Sequence, residues 1–155
     1  MIQPISTVSD GITLKLNAMI DRGKSMTSFL DRNIYQMYQN FERTRWITEG
    51  ASEDSKWDQV GDNYAKYKRK KFADYEGGGT KLLIATGTLF HAVIGPAQGQ
   101  RKLVTNTQLY ISTDVPYAGY VNERRNFTNW GKNSLIQYKK AISDFIFYNI
   151  KRGAS

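Results

Sequence analysis

Residues 81–100 read "KLLIATGTLFHAVIGPAQGQ". One apolar run, Leu82-Leu83-Ile84-Ala85, stops at Thr86-Gly87-Thr88. A second, Leu89-Phe90-His91-Ala92-Val93-Ile94, stops at Gly95-Pro96. The central "ATGTL" invites three readings: a phosphate loop, an active-site turn, or a corner between structural elements. A nucleophile elbow needs G-x-S-x-G, and no Ser lies in this stretch. The corner reading places a short helix over 81–88, ending at Gly87, and a strand over 89–95. A Gly past the last helical turn takes a positive φ at little cost. Thr86 and Thr88 would satisfy nearby backbone groups.

Just upstream, "EGGGTK" (76–81) brings glycines next to a lysine. A Walker A loop needs G-x-x-x-x-G-K-[ST], and Lys81 follows Thr80 instead. Three consecutive glycines predict a mobile loop. Downstream, "KLVTNTQLYIST" (102–113) is rich in β-branched residues and reads as strand, joined to 89–95 by "GPAQGQ". "VPYAGYVNERRNF" (115–127) opens on a Pro-initiated turn. The final helix spans 131–150, with Leu135, Tyr138, Ile142, Phe145, Ile146 and Ile150 on one face. Lys151 and Arg152 complement its C-terminal dipole, and Gly153 ends it.

Towards the N-terminus, Met26, Phe29, Leu30, Ile34, Met37, Tyr38, Phe41, Arg45 and Trp46 recur at helical steps. They predict one amphipathic helix over 24–48, closed by "GASEDS" (50–55). Ile12, Leu14 and Leu16 alternate with polar residues, favouring a short strand over 12–20. A helix beginning at Ser9 or Asp10 competes with it. Residues 1–11 read as an arm. The fold class is α+β: an antiparallel β-sheet meander packed against a long N-terminal helix and a C-terminal helix, in one domain over 12–155. Trp57, Leu83, Leu89, Tyr117 and the apolar face of the last helix are expected to be buried together. The arm and segments 74–80 and 95–102 are expected to be mobile until the subunit meets neighbours.

The chain has 155 residues, net charge +8, ten Tyr, seven Phe, three Trp and no Cys. The cysteine count excludes disulfides and thiolate metal sites. The first residues lack a basic region followed by an apolar one, so no signal peptide is read there. No apolar run approaches the roughly 20 residues that span a bilayer, so no membrane partner is expected.

The chemistry of catalysis is sparse. His91 is the single histidine and sits in an apolar run, which suits a structural role better than a ligand or base. Glu53/Asp54, Asp58/Asp62 and Asp74/Glu76 read as surface charges, with nothing to separate the pKa values of a pair as hydrolysis requires. No enzyme activity, cofactor or metal is expected. Lys66, Lys68, Arg69, Lys70 and Lys71 interleave with Tyr64, Tyr67, Phe72 and Tyr75. That is the composition of a nucleic-acid platform. It also suits a helix with rings inward and lysines in water.

The order of features resembles the tail-completion or virion-morphogenesis family of tailed bacteriophages, which includes neck and tail-terminator proteins. The family pattern runs W-x-x-L, a basic run, I-L-x-x-T-G-x-L, a strand pair, then Y-A. Trp57 and Val60 align with the first element. Leu83, Ile84, Thr86, Gly87 and Leu89 align with the second, and Tyr117 and Ala118 with the last. The likeness covers about residues 46–127. It implies a non-enzymatic virion protein, assembled in the host cytoplasm. It implies a homo-oligomeric ring, six-fold or a multiple, at the head–tail junction. Tail-tube and portal or head-connector proteins would be its neighbours, with DNA passing through the channel. The first rival reading is a basic DNA-binding accessory protein using 64–75; the second is an enzyme such as a virion-associated cell-wall hydrolase, which an isolated, pKa-shifted Glu in a cleft would favour.

Overall fold

A computed structural model describes residues 7–95, 99–127 and 131–148, with side chains described from Leu14 onward. The chain mixes helices with one two-stranded antiparallel sheet. Helix α1 (Thr7–Lys24) comes first, so the strand expected over 12–20 and the arm from residue 7 onward are both helical. Residues 1–6 lie outside the described part. The Ile12/Leu14/Leu16 alternation misleads because no second strand is there to bury one face. Leu14 and Leu16 both stay exposed. Helix α1 packs along the last helix, with Arg22 Nε donating to the Ile146 carbonyl at 2.9 Å.

The periodic run from Lys24 is divided. Helix α2 (Thr27–Phe29) passes through a π-helical turn, Leu30–Ile34, into α3 (Tyr35–Ile47). The wider turn admits an extra residue. It lets Phe29, Leu30, Ile34 and Tyr35 all face inward. A 3-10 turn (Ala51–Glu53) follows, then α4 (Asp62–Lys71).

The opening stretch folds in the reverse order to the expected one. Residues 81–87 form no helix, and 88–94 form no strand. Gly87, with φ +85°, begins helix α5 (Thr88–Ile94) instead of ending one. A short unbroken apolar run does not distinguish strand from buried helix by period alone. Helix wins here because Leu89, Phe90, Ala92, Val93 and Ile94 are all buried while Thr88 and His91 point out. Leu82 and Ile84 are buried in the preceding irregular segment, and Glu49 accepts a hydrogen bond from the Leu82 N–H at 3.0 Å.

Strands β1 (Gln100–Val104) and β2 (Leu109–Thr113) pair antiparallel, with Gln100 opposite Thr113 and Val104 opposite Leu109. The segment read as one strand over 102–113 is split by a turn at Thr105–Gln108, and β1 begins two residues earlier, in the expected loop. The sheet is therefore a hairpin and not a meander. Segment 95–102 is partly structured: Gln100, Arg101 and Lys102 belong to β1, and Arg101 and Lys102 pair within the subunit with Asp114 and Asp31. Helix α6 (Ala118–Arg125) and helix α7 (Lys132–Tyr148) complete the chain. Residues 149–155, including Ile150, Lys151, Arg152 and Gly153, lie outside the described part.

Two apolar clusters form where one was expected. In the first, Trp46 is surrounded by Trp57, Phe90 and Phe127, at ring distances of 5.6, 5.7 and 5.4 Å. Leu89 and Ala118 belong to it. In the second, α2 and the π turn meet α7: Phe29 stacks on Phe145 at 4.2 Å and Tyr138 is buried beside Phe41. Tyr38 touches both clusters. The α7 face thus packs apart from Trp57 and Leu89. Tyr117 is 47% exposed, because the turn at Pro116-Tyr117 lifts it to the surface.

The triple glycine serves geometry. Gly77, Gly78 and Gly79 all have positive φ. Gly79 is buried against the end of α4, where a Cβ would lie 2.8 Å from the Arg69 Cα and meet the Lys68 carbonyl. The loop follows a defined path that only glycine can take there.

Candidate functional site

Several residues singled out by the sequence pattern lie together. Leu83, Thr86, Gly87, Leu89 and Tyr117 all line one cleft of about 700 Å³ between α4 and α6. Trp57 and Ala118 lie behind it in the Trp46 cluster. The 81–87 segment forms the floor, α4 contributes Tyr64 and Lys68, and α6 contributes Tyr120, Val121, Arg124 and Arg125. Arg124 lies over the Tyr120 ring at 4.6 Å, within cation–π range. The Arg125 guanidinium donates to the Asp58 carbonyl at 3.3 Å, while its Nε is buried without a hydrogen-bond partner.

Helix α4 inverts the pattern expected of a basic–aromatic helix. Lys68 is 2% exposed, and its ammonium donates to the Leu82 carbonyl at 2.9 Å and to the Lys81 carbonyl. Burial lowers its pKa, and Arg125 nearby adds to the effect while Glu49 opposes it. Tyr64 and Tyr67 are half exposed instead. The 81–87 segment, which forms neither helix nor strand, explains the inversion. Its carbonyls find no partner in a ladder, so a long donor reaching from α4 meets the need. Lys66, Arg69, Lys70 and Lys71 are exposed and lie outside the cleft lining. Sequence reading missed Tyr120 and Arg124 as site residues. Their i,i+4 spacing in "YVNERR" was the available signal.

Of the carboxylates read as surface charges, Asp54, Asp58, Asp62, Asp74 and Glu76 are exposed and Glu53 departs from that role. Glu53 is buried and accepts hydrogen bonds from the backbone N–H groups of Asn133 and Ser134, at 2.9 and 3.0 Å. It caps the start of α7, where a negative charge complements the helix dipole. Glu42 lines a second cavity of about 430 Å³ between α3, β2 and α7. Burial pushes its carboxyl up to about 7, against the pull of Arg45 at 3.5 Å. A raised Glu beside a cavity is the feature that would favour hydrolysis. Yet its Oε2 is buried away from solvent and makes no hydrogen bond, and the other oxygen faces Arg45.

His91 has a partner that its apolar neighbours did not foretell. Its Nε2 lies 2.6 Å from Glu76 Oε2, with both side chains half exposed. Thr86 and Thr88 bond each other through their hydroxyls at 2.9 Å. Among the described residues, no group of three or more His, Asp or Glu is placed to hold a metal ion. None of the described helices is long and apolar enough to cross a membrane. No protein-family model, curated protein or solved structure matches this chain.

Proposed function

We propose that the chain is a structural protein of tailed-bacteriophage virions. In this reading it forms a ring, six-fold or a multiple, at the head–tail junction, where it completes or terminates the tail tube and joins it to the head connector. It assembles in the host cytoplasm, surrounds the DNA path, and performs no catalysis. The observation that carries the reading is apolar surface left in water. Leu14, Leu16 and Ile20 on α1, and Ile136, Phe147 and Tyr148 on α7, are each about half exposed or more. These two helices pack on each other. Apolar side chains left exposed on two adjoining helices support a protein–protein contact there. The phage-like sequence pattern supplies the kind of assembly. Electron microscopy of negatively stained protein should show rings. A chain that stays monomeric with tail-tube and portal proteins present would rule the reading out.

A second reading, DNA binding through 64–75, draws support from the outward tyrosines of α4 beside Lys66, Arg69, Lys70 and Lys71. Its signature is affinity for random duplex DNA that falls steeply with salt, together with slowed hydrogen exchange over 64–72.

A further inference from the structure

We propose that the cleft between α4 and α6 is a docking site for an acidic segment of a partner protein. An apolar or aromatic side chain of that segment would sit on the floor, and neighbouring carboxylates would meet Arg124 and Arg125. The proposal rests on the assembly reading only in that the partner is a protein; it does not require a ring.

Charge is the first argument. The cleft lining carries Lys68, Arg124 and Arg125 and, among the described residues, no carboxylate. Two carboxylates nearby are committed elsewhere, Glu49 to the Leu82 N–H and Glu76 to His91, while Asp58, Asp62 and Glu123 are exposed outside the lining. Lys68 spends its ammonium on two backbone carbonyls, so it adds positive potential without reaching out. The guanidinium of Arg124, resting on the Tyr120 ring, keeps its edges open to a bidentate carboxylate.

Shape and composition are the second. Leu83, Leu89 and Val121 give the cleft an apolar floor, and Tyr64, Tyr117 and Tyr120 form a rim, all three about half exposed. Tyr and Arg around an apolar depression are the residues that dominate binding energy at protein interfaces. A nucleic-acid strand fits less well. A phosphate backbone needs a line of cations along its path. The cleft instead concentrates its outward charge at one wall, on α6. The exposed cations of α4 lie outside the lining.

The test uses the full chain and a fluorescein-labelled peptide, GSDEWDEGSG, read by fluorescence anisotropy. Controls are the same peptide with every Asp and Glu made amide, the same peptide with Trp made Ala, and a twenty-nucleotide oligothymidylate. The acidic peptide should bind, and either peptide control should bind about tenfold more weakly. Arg124→Ala combined with Tyr120→Ala should weaken binding about tenfold. Both side chains are exposed, so an unchanged melting curve for that variant is expected. Arg124→Lys should fall between, and Lys70→Ala should change little. No preference for the acidic peptide would overturn the proposal. So would a loss in Lys70→Ala equal to that in the α6 variant, or displacement of the peptide by the oligonucleotide at lower concentration. Mass photometry of the same samples reads the ring separately. Peptide binding by a persistent monomer refutes the ring alone, and rings without peptide binding refute the cleft alone.

Discussion

Glu42 keeps its proton into the neutral range because its carboxyl is buried, and Arg45 offsets only part of that cost. The folded pKa, about 7, lies above the ordinary carboxylate value of 4.5. Folding therefore gains from the bound proton below the unfolded pKa, and the gain is lost as pH rises through 7. Urea unfolding at pH 5 and pH 8 should show the native chain losing about 2 kcal/mol more than Glu42→Gln over that interval. Equal losses would place the carboxyl in a wetter setting. Glu53 is held by two N–H donors at the start of α7. Glu53→Ala leaves those donors without their acceptor and should cost about 2–3 kcal/mol. Asp58→Asn, at an exposed carboxylate, should cost under about 0.5 kcal/mol.

The elements around residues 76–94 depend on glycines held at positive φ. At Gly87 a Cβ would also approach the His91 ring to 3.1 Å. Gly87→Val should destabilise by more than 1 kcal/mol, about the cost of forcing a branched side chain into the left-handed region. Thr88→Val, one residue later and exposed, should be mild. Gly78 and Gly79 offer a sharper comparison, since both have positive φ. A Cβ at Gly78 meets nothing closer than the Ala73 carbonyl at 3.8 Å, whereas one at Gly79 would press into the backbone of α4. Thermal melting should place Gly79→Ala well below Gly78→Ala. A flexible linker, as the sequence alone suggests for this loop, would respond alike to both. In the same region α5 is a helix because its seven residues bury five side chains against the Trp46 cluster and the hairpin. Nothing in their spacing decides this, and the extended form would satisfy the same composition.

At the scale of the whole molecule, the exposed faces of α1 and α7 separate assembly from stability. Leu14→Gln with Ile20→Gln should leave subunit stability within about 0.5 kcal/mol per site, as exposed positions do. It should reduce ring formation seen by mass photometry. A matching fall in stability would mean these side chains are packed within the subunit. Several features were legible from local spacing: the helix within 131–150, the helical run after Lys24, strand within 102–113, and positive φ at Gly87. Each follows from periodicity, β-branching or backbone sterics within a few residues. Other features needed the tertiary structure. Lys68 turns inward and Tyr64 outward because the carbonyls of residues 81 and 82, far along the chain, lack other partners. The alternating residues of α1 coil because no strand lies beside them. Leu83 and Tyr117 line one cleft only because α4, the 81–87 segment and α6 pack together. Sequence determined which segments are apolar and where the backbone must turn. Which face each segment buries was decided by long-range desolvation and hydrogen-bond demand, which local periodicity does not encode.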